Sequence, residues 1–152
     1  MTGHKVGRVY VINKKQAEDS GIVVNGTLTF NSTSFVVLFN SKATHSFISS
    51  KSASRIEMES HKHPIDLDIG MPTGEIAKCN TKYQNCPIIV NQEIFESDLI
   101  QLDLSEFDII LGIDWLSRHG AKIDCQKQRV SLKGKGEEKY ILGETIGKLN
   151  AR

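Results

Sequence analysis

Short apolar runs separated by small polar clusters recur along most of this chain. Residues 35–39 are five apolar residues in a row, and such a run predicts a strand that is buried on both faces. Residues 65–69 alternate between an aliphatic residue and aspartate, which is typical of a strand with one buried and one solvated face. Less regular patterns predict further strands over residues 27–30, 76–77, 83–90, 94–102, 107–112, 123–125 and 129–132. Few windows have helical periodicity, so the sequence predicts a fold that is mainly all-β.

Two short helices and a hairpin tip are predicted between these strands. Residues 46–56 are typical of an extended segment that runs into a short helix. A second short helix is predicted over residues 115–119, where Gly120 ends it and Asp114 suits an N-cap better than a carboxylate catalyst. Proline and glycine within Gly70-Met71-Pro72-Thr73-Gly74 predict a hairpin tip. Such a tip suits a lid over a peptide groove, and an ordinary surface hairpin fits this stretch equally well.

Length, net charge and the lengths of the apolar runs exclude several classes of protein. At 152 residues, the chain is long enough for one domain with a short appendage. Its net charge of +1 indicates neither a nucleic acid nor a membrane surface as a partner. No apolar run approaches the roughly 18 residues that cross a bilayer, and the first residues lack the apolar centre of a signal peptide. We therefore expect a cytoplasmic protein.

The spacings of cysteine and histidine do not favour a metal site. The cysteines are odd in number (Cys79, Cys86 and Cys125), which favours reduced thiols, and none of them forms a Cys-x-x-Cys ligand pair. His61 and His63 would share one face of a strand, but they lack a third ligand. We expect structural thiols and surface histidines, with neither a metal nor another cofactor.

The candidate site is the polar turn that follows the buried strand. Asn40-Ser41-Lys42 ends the apolar run, and Ala43-Thr44 follow it. A buried strand that delivers a polar tripeptide into a tight turn is how aspartic peptidases present their catalytic carboxylate, in the triplet Asp-Ser/Thr-Gly. A second motif typical of these enzymes is matched by residues 107–116, Phe-Asp-Ile-Ile-Leu-Gly-Ile-Asp-Trp-Leu. Residues 22–132 therefore resemble the retropepsin-type aspartic peptidase of gypsy-class LTR retrotransposon polyproteins.

The resemblance implies a fold, a partner and a mechanism. Residues 22–132 would form an acid-protease half-barrel with one short C-terminal helix, residues 1–21 a spacer and residues 133–152 a linker. Family members pair as a homodimer in which each copy contributes one aspartate, and the two carboxylates share a proton because like charges so close cannot both ionise. One carboxylate activates a water, and the other protonates the carbonyl of an extended peptide or polyprotein segment. Met71-Pro72-Thr73-Gly74 would form the flap over this substrate, and residues 111–112 would lie beneath the active loop.

Two letters depart from the family pattern, which reads Asp-Ser-Gly-Ala-Thr-His-Ser-Phe-Ile. Asn40 stands at the position of the catalytic aspartate and Lys42 at that of the glycine, whereas Ser41 and Thr44 are kept. A neutral amide cannot accept the proton of the attacking water, and a homodimer would hold two amides, so we predict a pseudoenzyme without peptidase activity. Two Lys42 ammonium groups near a two-fold axis would repel each other, which predicts a weakened dimer. The sequence does not distinguish natural decay from engineering as the origin of these changes.

Two alternatives to an inactive domain that binds peptides stay open. One is an active aspartic endopeptidase that works through an aspartate-bearing partner chain or through Asp19, which heads a literal Asp19-Ser20-Gly21 triplet. No buried strand precedes Asp19, so its carboxylate would lack the rigid and partly desolvated position that catalysis needs. The other alternative is a non-enzymatic assembly or adaptor module, a role that the same fold serves elsewhere.

Overall fold

The computed structural model describes residues 6–8, 24–30, 33–56, 58–90, 92–124, 126–136 and 138–142. Its strands are β1 (Val6–Arg8), β2 (Val24–Phe30), β3 (Thr33–Phe39), β4 (Phe47–Ser49), β5 (Lys62–Gly70), β6 (Ile76–Val90), β7 (Glu93–Leu102), β8 (Ile109–Leu111), β9 (Lys122–Asp124), β10 (Arg129–Lys133) and β11 (Glu138–Leu142). Helices are short, at Ser50–Ala53 and Ile113–Arg118, with a 3-10 turn at Glu59–His61. The prediction of a mainly all-β fold is therefore confirmed. Within these ranges, no helix is long and apolar enough to cross a membrane.

Eight strands form one sheet that closes on itself. Their order is β1-β5-β6-β2-β3-β8-β4-β7, and β7 at one end pairs back with β6 near the other end. The 15-residue strand β6 allows this closure because it pairs with β5 through residues 76–83, with β7 through residues 82–90 and with β2 at Ile89. Strands β9, β10 and β11 form a separate sheet in the order β11-β10-β9. The architecture agrees with the expected half-barrel.

Strand β8 lies between β3 and β4 and sets the path of the candidate loop. It pairs in parallel with β3, where Phe39 is opposite Leu111, and antiparallel with β4, where Phe47 is opposite Ile110. The loop of residues 40–46 therefore passes over the carboxyl end of β8 on its way from β3 to β4. All three residues of β8 are buried. Because the strand is covered on both faces, its consecutive residues are all apolar.

Side chains of β3 enter two apolar clusters, one on each face of the sheet. Val37 and Phe39 belong to the larger cluster, whereas Leu38 belongs to the smaller one. All three are 0% exposed, which confirms the predicted strand with two buried faces. The ring of Phe39 lies 5.9 Å from that of Trp115, so the end of β3 packs directly against the helix Ile113–Arg118.

The second helix begins two residues before its predicted start, at Ile113. Its N-cap residue is Gly112, so the prediction of Asp114 as the N-cap is wrong. The N–H groups at this helix start find acceptors in the candidate loop instead. Gly112 donates to the hydroxyl of Ser46 and Ile113 donates to the carbonyl of Ala43, each at 2.9 Å. The loop thus satisfies donors at the helix start, and the N-cap residue itself contributes no side-chain hydrogen bond.

Two segments that were expected to flank the domain pair within its sheets. Strand β1, inside the predicted spacer of residues 1–21, pairs with β5. Strand β11, inside the predicted linker of residues 133–152, pairs with β10 and buries Ile141 in the larger cluster. Residues 138–142 are therefore not a linker, because β10 offers them an edge that the sequence pattern alone does not reveal. Asp19 lies outside the described residues.

Candidate functional site

Three hydrogen bonds hold Asn40 at the end of β3. Its backbone N–H donates to the carbonyl of Leu111 at 3.0 Å, and its own carbonyl accepts from the N–H of Ala43 at 3.1 Å. Its side-chain Oδ1 accepts from the backbone N–H of Lys42 at 2.9 Å, which closes an Asx turn. Asn40 is 0% exposed. The side chain at the head of the candidate triplet is thus fixed in one orientation and shielded from water.

The amide nitrogen of the same side chain, Nδ2 of Asn40, is buried and has no hydrogen-bond partner in the described part of the chain. The orientation of the amide follows from Lys42, because its N–H needs an acceptor and therefore faces Oδ1 rather than Nδ2. A buried polar group without a partner costs roughly 1–3 kcal/mol. The position therefore uses an acceptor oxygen on one side and leaves a donor unpaired on the other.

Ser46 joins the candidate loop to the second helix. Its hydroxyl accepts from the N–H of Gly112 at 2.9 Å and donates to Oδ1 of Asp114 at 2.7 Å. The same carboxylate oxygen accepts from the N–H of Trp115 at 2.8 Å. Asp114 therefore stabilises the site through Ser46 and the first turn of the helix, and the observed geometry gives its carboxylate a positioning role.

Gly112 marks a close approach between the loop and the turn that follows β8. A Cβ atom at this position would collide with the backbone carbonyl oxygens of Ala43 and His45. The adjacent N–H of Ile113 donates to the carbonyl of Ala43 at 2.9 Å. A side chain at residue 112 would therefore separate the two segments, which is the physical reason for a glycine in the second motif.

The exposed residues of the candidate loop lie at the rim of the site. Ser41, Lys42 and Thr44 are exposed. The hydroxyl of Thr44 lies 2.8 Å from Nδ1 of His45, within hydrogen-bond distance. Among the described residues other than glycine, positive φ values occur at Asn85, Gln92 and Gln128. Lys42 is not among them, so a side chain replaces glycine here without backbone strain in the single chain.

The predicted hairpin tip connects β5 to β6. The N–H of Met71 donates to the carbonyl of Glu75 at 2.8 Å, and the N–H of Gly74 donates to the carbonyl of Met71 at 2.9 Å. Gly74 has φ of +92°, a conformation that favours glycine. Pro72 is half-buried, whereas Thr73 and Gly74 are exposed. Met71 packs against the smaller apolar cluster, which also contains Ala43 of the candidate loop. The base of the tip and the loop therefore share one cluster.

The two cysteines of the described residues, Cys79 and Cys86, are both buried. Burial raises the pKa of Cys79 to about 11 and that of Cys86 to about 12, in each case with a smaller contribution from a nearby aspartate. Both thiols are therefore protonated at neutral pH, as structural thiols are. Nδ1 of His61 lies 2.7 Å from the carbonyl oxygen of Gln84, so this ring is engaged by the backbone. In the described ranges, no three potential metal ligands cluster.

Asp108 is a positioning residue that the sequence pattern does not predict. Its Oδ2 accepts from the N–H of Val36 at 2.8 Å, and its Oδ1 accepts from the hydroxyl of Ser52 at 2.8 Å. Arg55 lies 3.4 Å from the same Oδ1. These contacts tie β3 to the first helix. The sequence does contain one indication of this role, namely a single carboxylate within an apolar run. Such a carboxylate needs hydrogen-bond partners when it is packed in a sheet.

These features together define the class of protein. A buried strand ends in a fixed polar triplet, a second strand passes beneath the triplet, and a glycine turn and helix support it. This is the architecture of a retropepsin-like aspartic protease domain. A sequence profile of the family described as retroviral aspartyl protease matches residues 4–138, and the chain belongs to this family.

Comparison with solved structures shows a similar fold. One similar structure is the crystal structure of the retroviral protease-like domain of Ddi1 from Leishmania major, with a TM-score of 0.58 and 14% sequence identity. The similarity covers 84% of this chain and 98% of that domain, and at this level of identity it shows the fold. No curated protein sequence matches the chain.

Proposed function

We propose that this chain is a retrotransposon-type aspartic-protease-like domain that binds an extended peptide and does not hydrolyse it. The observation that carries the proposal is the environment of Asn40. The residue is fixed at the end of β3, its Oδ1 is engaged by Lys42, and its buried Nδ2 has no acceptor in the described part of the chain. When the motifs are matched to those of retropepsin-type peptidases, Asn40 stands at the position of the catalytic aspartate.

An amide at this position removes the proton acceptor that the mechanism needs. Nδ2 carries no lone pair available for a proton at ordinary pH, and the only acceptor of the side chain, Oδ1, already receives the N–H of Lys42. A homodimer would contain two copies of Asn40 and no carboxylate. General acid–base catalysis contributes about 10²–10⁴-fold to a rate, and here both members of the pair would be absent.

The rim of the loop is the face on which a second copy would pair. Ser41, Lys42 and Thr44 are exposed there, so two lysine side chains would approach each other across a two-fold axis. Like charges that lose solvent on association oppose it. We therefore expect the homodimer to be weak, with monomer predominating at about micromolar concentration. Sedimentation that shows a tight homodimer would contradict this part of the proposal.

The unpaired Nδ2 of Asn40 also favours a second candidate function, an active heterodimer with a related chain that carries aspartate. An aspartate oxygen of such a partner would accept the hydrogen bond that Nδ2 leaves unmade. The partner would supply the only carboxylate at the site. Mixing the chain with an aspartate-bearing relative and finding cleavage that neither chain performs alone would support this function.

A paired cleavage assay tests the main proposal. An unfolded protein substrate is incubated at about pH 5 with the wild-type chain, with Asn40→Asp, and with Asn40→Asp combined with Lys42→Gly. We expect no cleavage by the wild type and a gain of cleavage in the double variant. Asn80→Asp is the matched control, because Asn80 is exposed and far from the triplet in sequence. Cleavage by the unmodified chain, sensitive to an inhibitor of aspartic peptidases, would overturn the proposal.

A further inference from the structure

A short segment near the start of the chain lies beside the candidate site. Strand β1 pairs in parallel with β5, with Val6 opposite Asp68, Gly7 opposite Ile69 and Arg8 opposite Gly70. It forms the end of the eight-stranded order, on the edge of β5 that β6 does not occupy. Gly70 is the last residue of β5 before the hairpin tip. The segment therefore adds one strand to the hairpin that would cover a bound peptide.

Gly7 fits this place because it has no side chain. It is buried, and a Cβ atom on it would lie 2.6 Å from Nδ1 of His45 and 2.8 Å from Cδ1 of Ile69. The ring of His45 has two contacts of its own. Its Nδ1 lies 2.8 Å from the hydroxyl of Thr44, and its ring packs at 6.5 Å against that of Phe47. A larger residue at position 7 would therefore displace either the ring or the strand.

His45 belongs to the same loop as Asn40, so β1 lies between the first strand of the hairpin and the loop that carries the triplet. An extended ligand held by the hairpin would lie in this same place, because strand addition at a sheet edge is how such grooves hold peptides. The tight contact with His45 and Ile69 makes one register of such a ligand distinguishable, namely the register that sets a glycine opposite Ile69.

We propose that β1 occupies the peptide groove of this chain in cis, and that the groove selects extended segments with glycine opposite Ile69. This inference rests on the proposed peptide binding and names the class of ligand. A tethered segment competes with free peptides at an effective concentration of the order of millimolar. Peptides in solution would therefore bind weakly until β1 leaves the groove.

The test uses the full chain and a labelled peptide that copies residues 4–10, His-Lys-Val-Gly-Arg-Val-Tyr. Binding is measured by fluorescence anisotropy to the wild type, to Gly7→Val and to Gly3→Val, which changes a glycine in the same segment but outside β1. We expect Gly7→Val to bind the peptide at least about tenfold more tightly than the other two, because its own strand is expelled from the groove. A second peptide that itself carries Gly7→Val is expected to bind none of the three chains.

The fluorescence of Trp115 reports whether each variant is folded, and Gly7→Ala replaces Gly7→Val if the larger side chain prevents folding. Adding His45→Ala to Gly7→Val removes the closer of the two contacts and leaves the one with Cδ1 of Ile69, so we expect β1 to return in part and peptide binding to fall. Equal binding of the two peptides to Gly7→Val would overturn the register and leave peptide binding intact. Failure of Gly7→Val to bind either peptide or a reduced, unfolded protein would overturn both this inference and the proposed peptide binding.

Discussion

Replacing Asn40 by aspartate changes the site by little more than one atom. One carboxylate oxygen keeps the N–H of Lys42 as its donor, and the other replaces Nδ2, which has no partner in the described part of the chain. The change removes an unpaired donor and places a titratable group where the residue is 0% exposed. Because desolvation opposes ionisation, we expect the pKa of the introduced carboxyl group to be raised.

The stability of the Asn40→Asp protein is therefore expected to depend on pH. A carboxyl group with a raised pKa binds its proton more tightly in the folded state than in the unfolded state. The free energy of unfolding thus falls as the pH rises from the ordinary carboxyl pKa to the raised one. Each unit of elevation corresponds to about 1.4 kcal/mol of stability lost. In acid, where the group is neutral in both states, we expect stability within about 1 kcal/mol of wild type.

Urea unfolding at about pH 4 and about pH 8 measures this dependence. Trp115 is the single tryptophan and is 1% exposed, so its fluorescence follows unfolding of the larger cluster. Asn80→Asp is the matched control, and we expect it to stay within about 0.5 kcal/mol of wild type because Asn80 is exposed. A stability difference between Asn40→Asp and wild type that is the same at both pH values would refute the reasoning from desolvation.

Three further predictions follow from contacts around the site. Ser46→Ala leaves the buried N–H of Gly112 without its acceptor, so we expect a loss of about 1–3 kcal/mol in urea unfolding, against less than about 0.5 kcal/mol for the exposed Ser54→Ala. Burial lowers the pKa of His119 from its ordinary value of 6.5, so the unfolded state binds a proton at higher pH than the folded state does. The free energy of unfolding should therefore fall as the pH drops below 6.5, and His119→Gln should remove this dependence on pH. Because burial raises the pKa of Cys86 to about 12, alkylation of this thiol at about pH 8 should be slow in the folded chain and fast in urea, and equal rates would contradict it.

The strands nearest the site were predictable because their burial leaves a local pattern. Residues 35–39 and the strand before Gly112 are runs of apolar residues, and such runs become central strands wherever both faces are covered. The start of the second helix was predicted two residues late. Asp114 carries the local signal of an N-cap, but the acceptors that satisfy the helix start come from Ser46 and Ala43, about 70 residues away in the chain.

The strands at the two ends were missed because each depends on a distant edge. Residues 138–142 lie among glycines and charges, and only their pairing with β10 makes them a strand. Strand β1 has three residues, too few for any periodicity, and its place is set by the room that Gly7 leaves for His45. The unpaired Nδ2 of Asn40 was equally beyond the sequence, because it follows from which atoms surround the amide in three dimensions.

The position of β8 between β3 and β4 determines when, during synthesis of the chain, the loop that contains Asn40 can become fixed. Leu111, whose carbonyl accepts from the backbone N–H of Asn40, lies 71 positions later in the chain. A growing chain emerges from the ribosome amino end first, so Asn40 is outside long before its anchor arrives. Closing so distant a contact is slow compared with forming a local hairpin. A fragment that stops before Leu111 would therefore contain all three residues of the triplet but would lack the hydrogen bond that holds Asn40 in place.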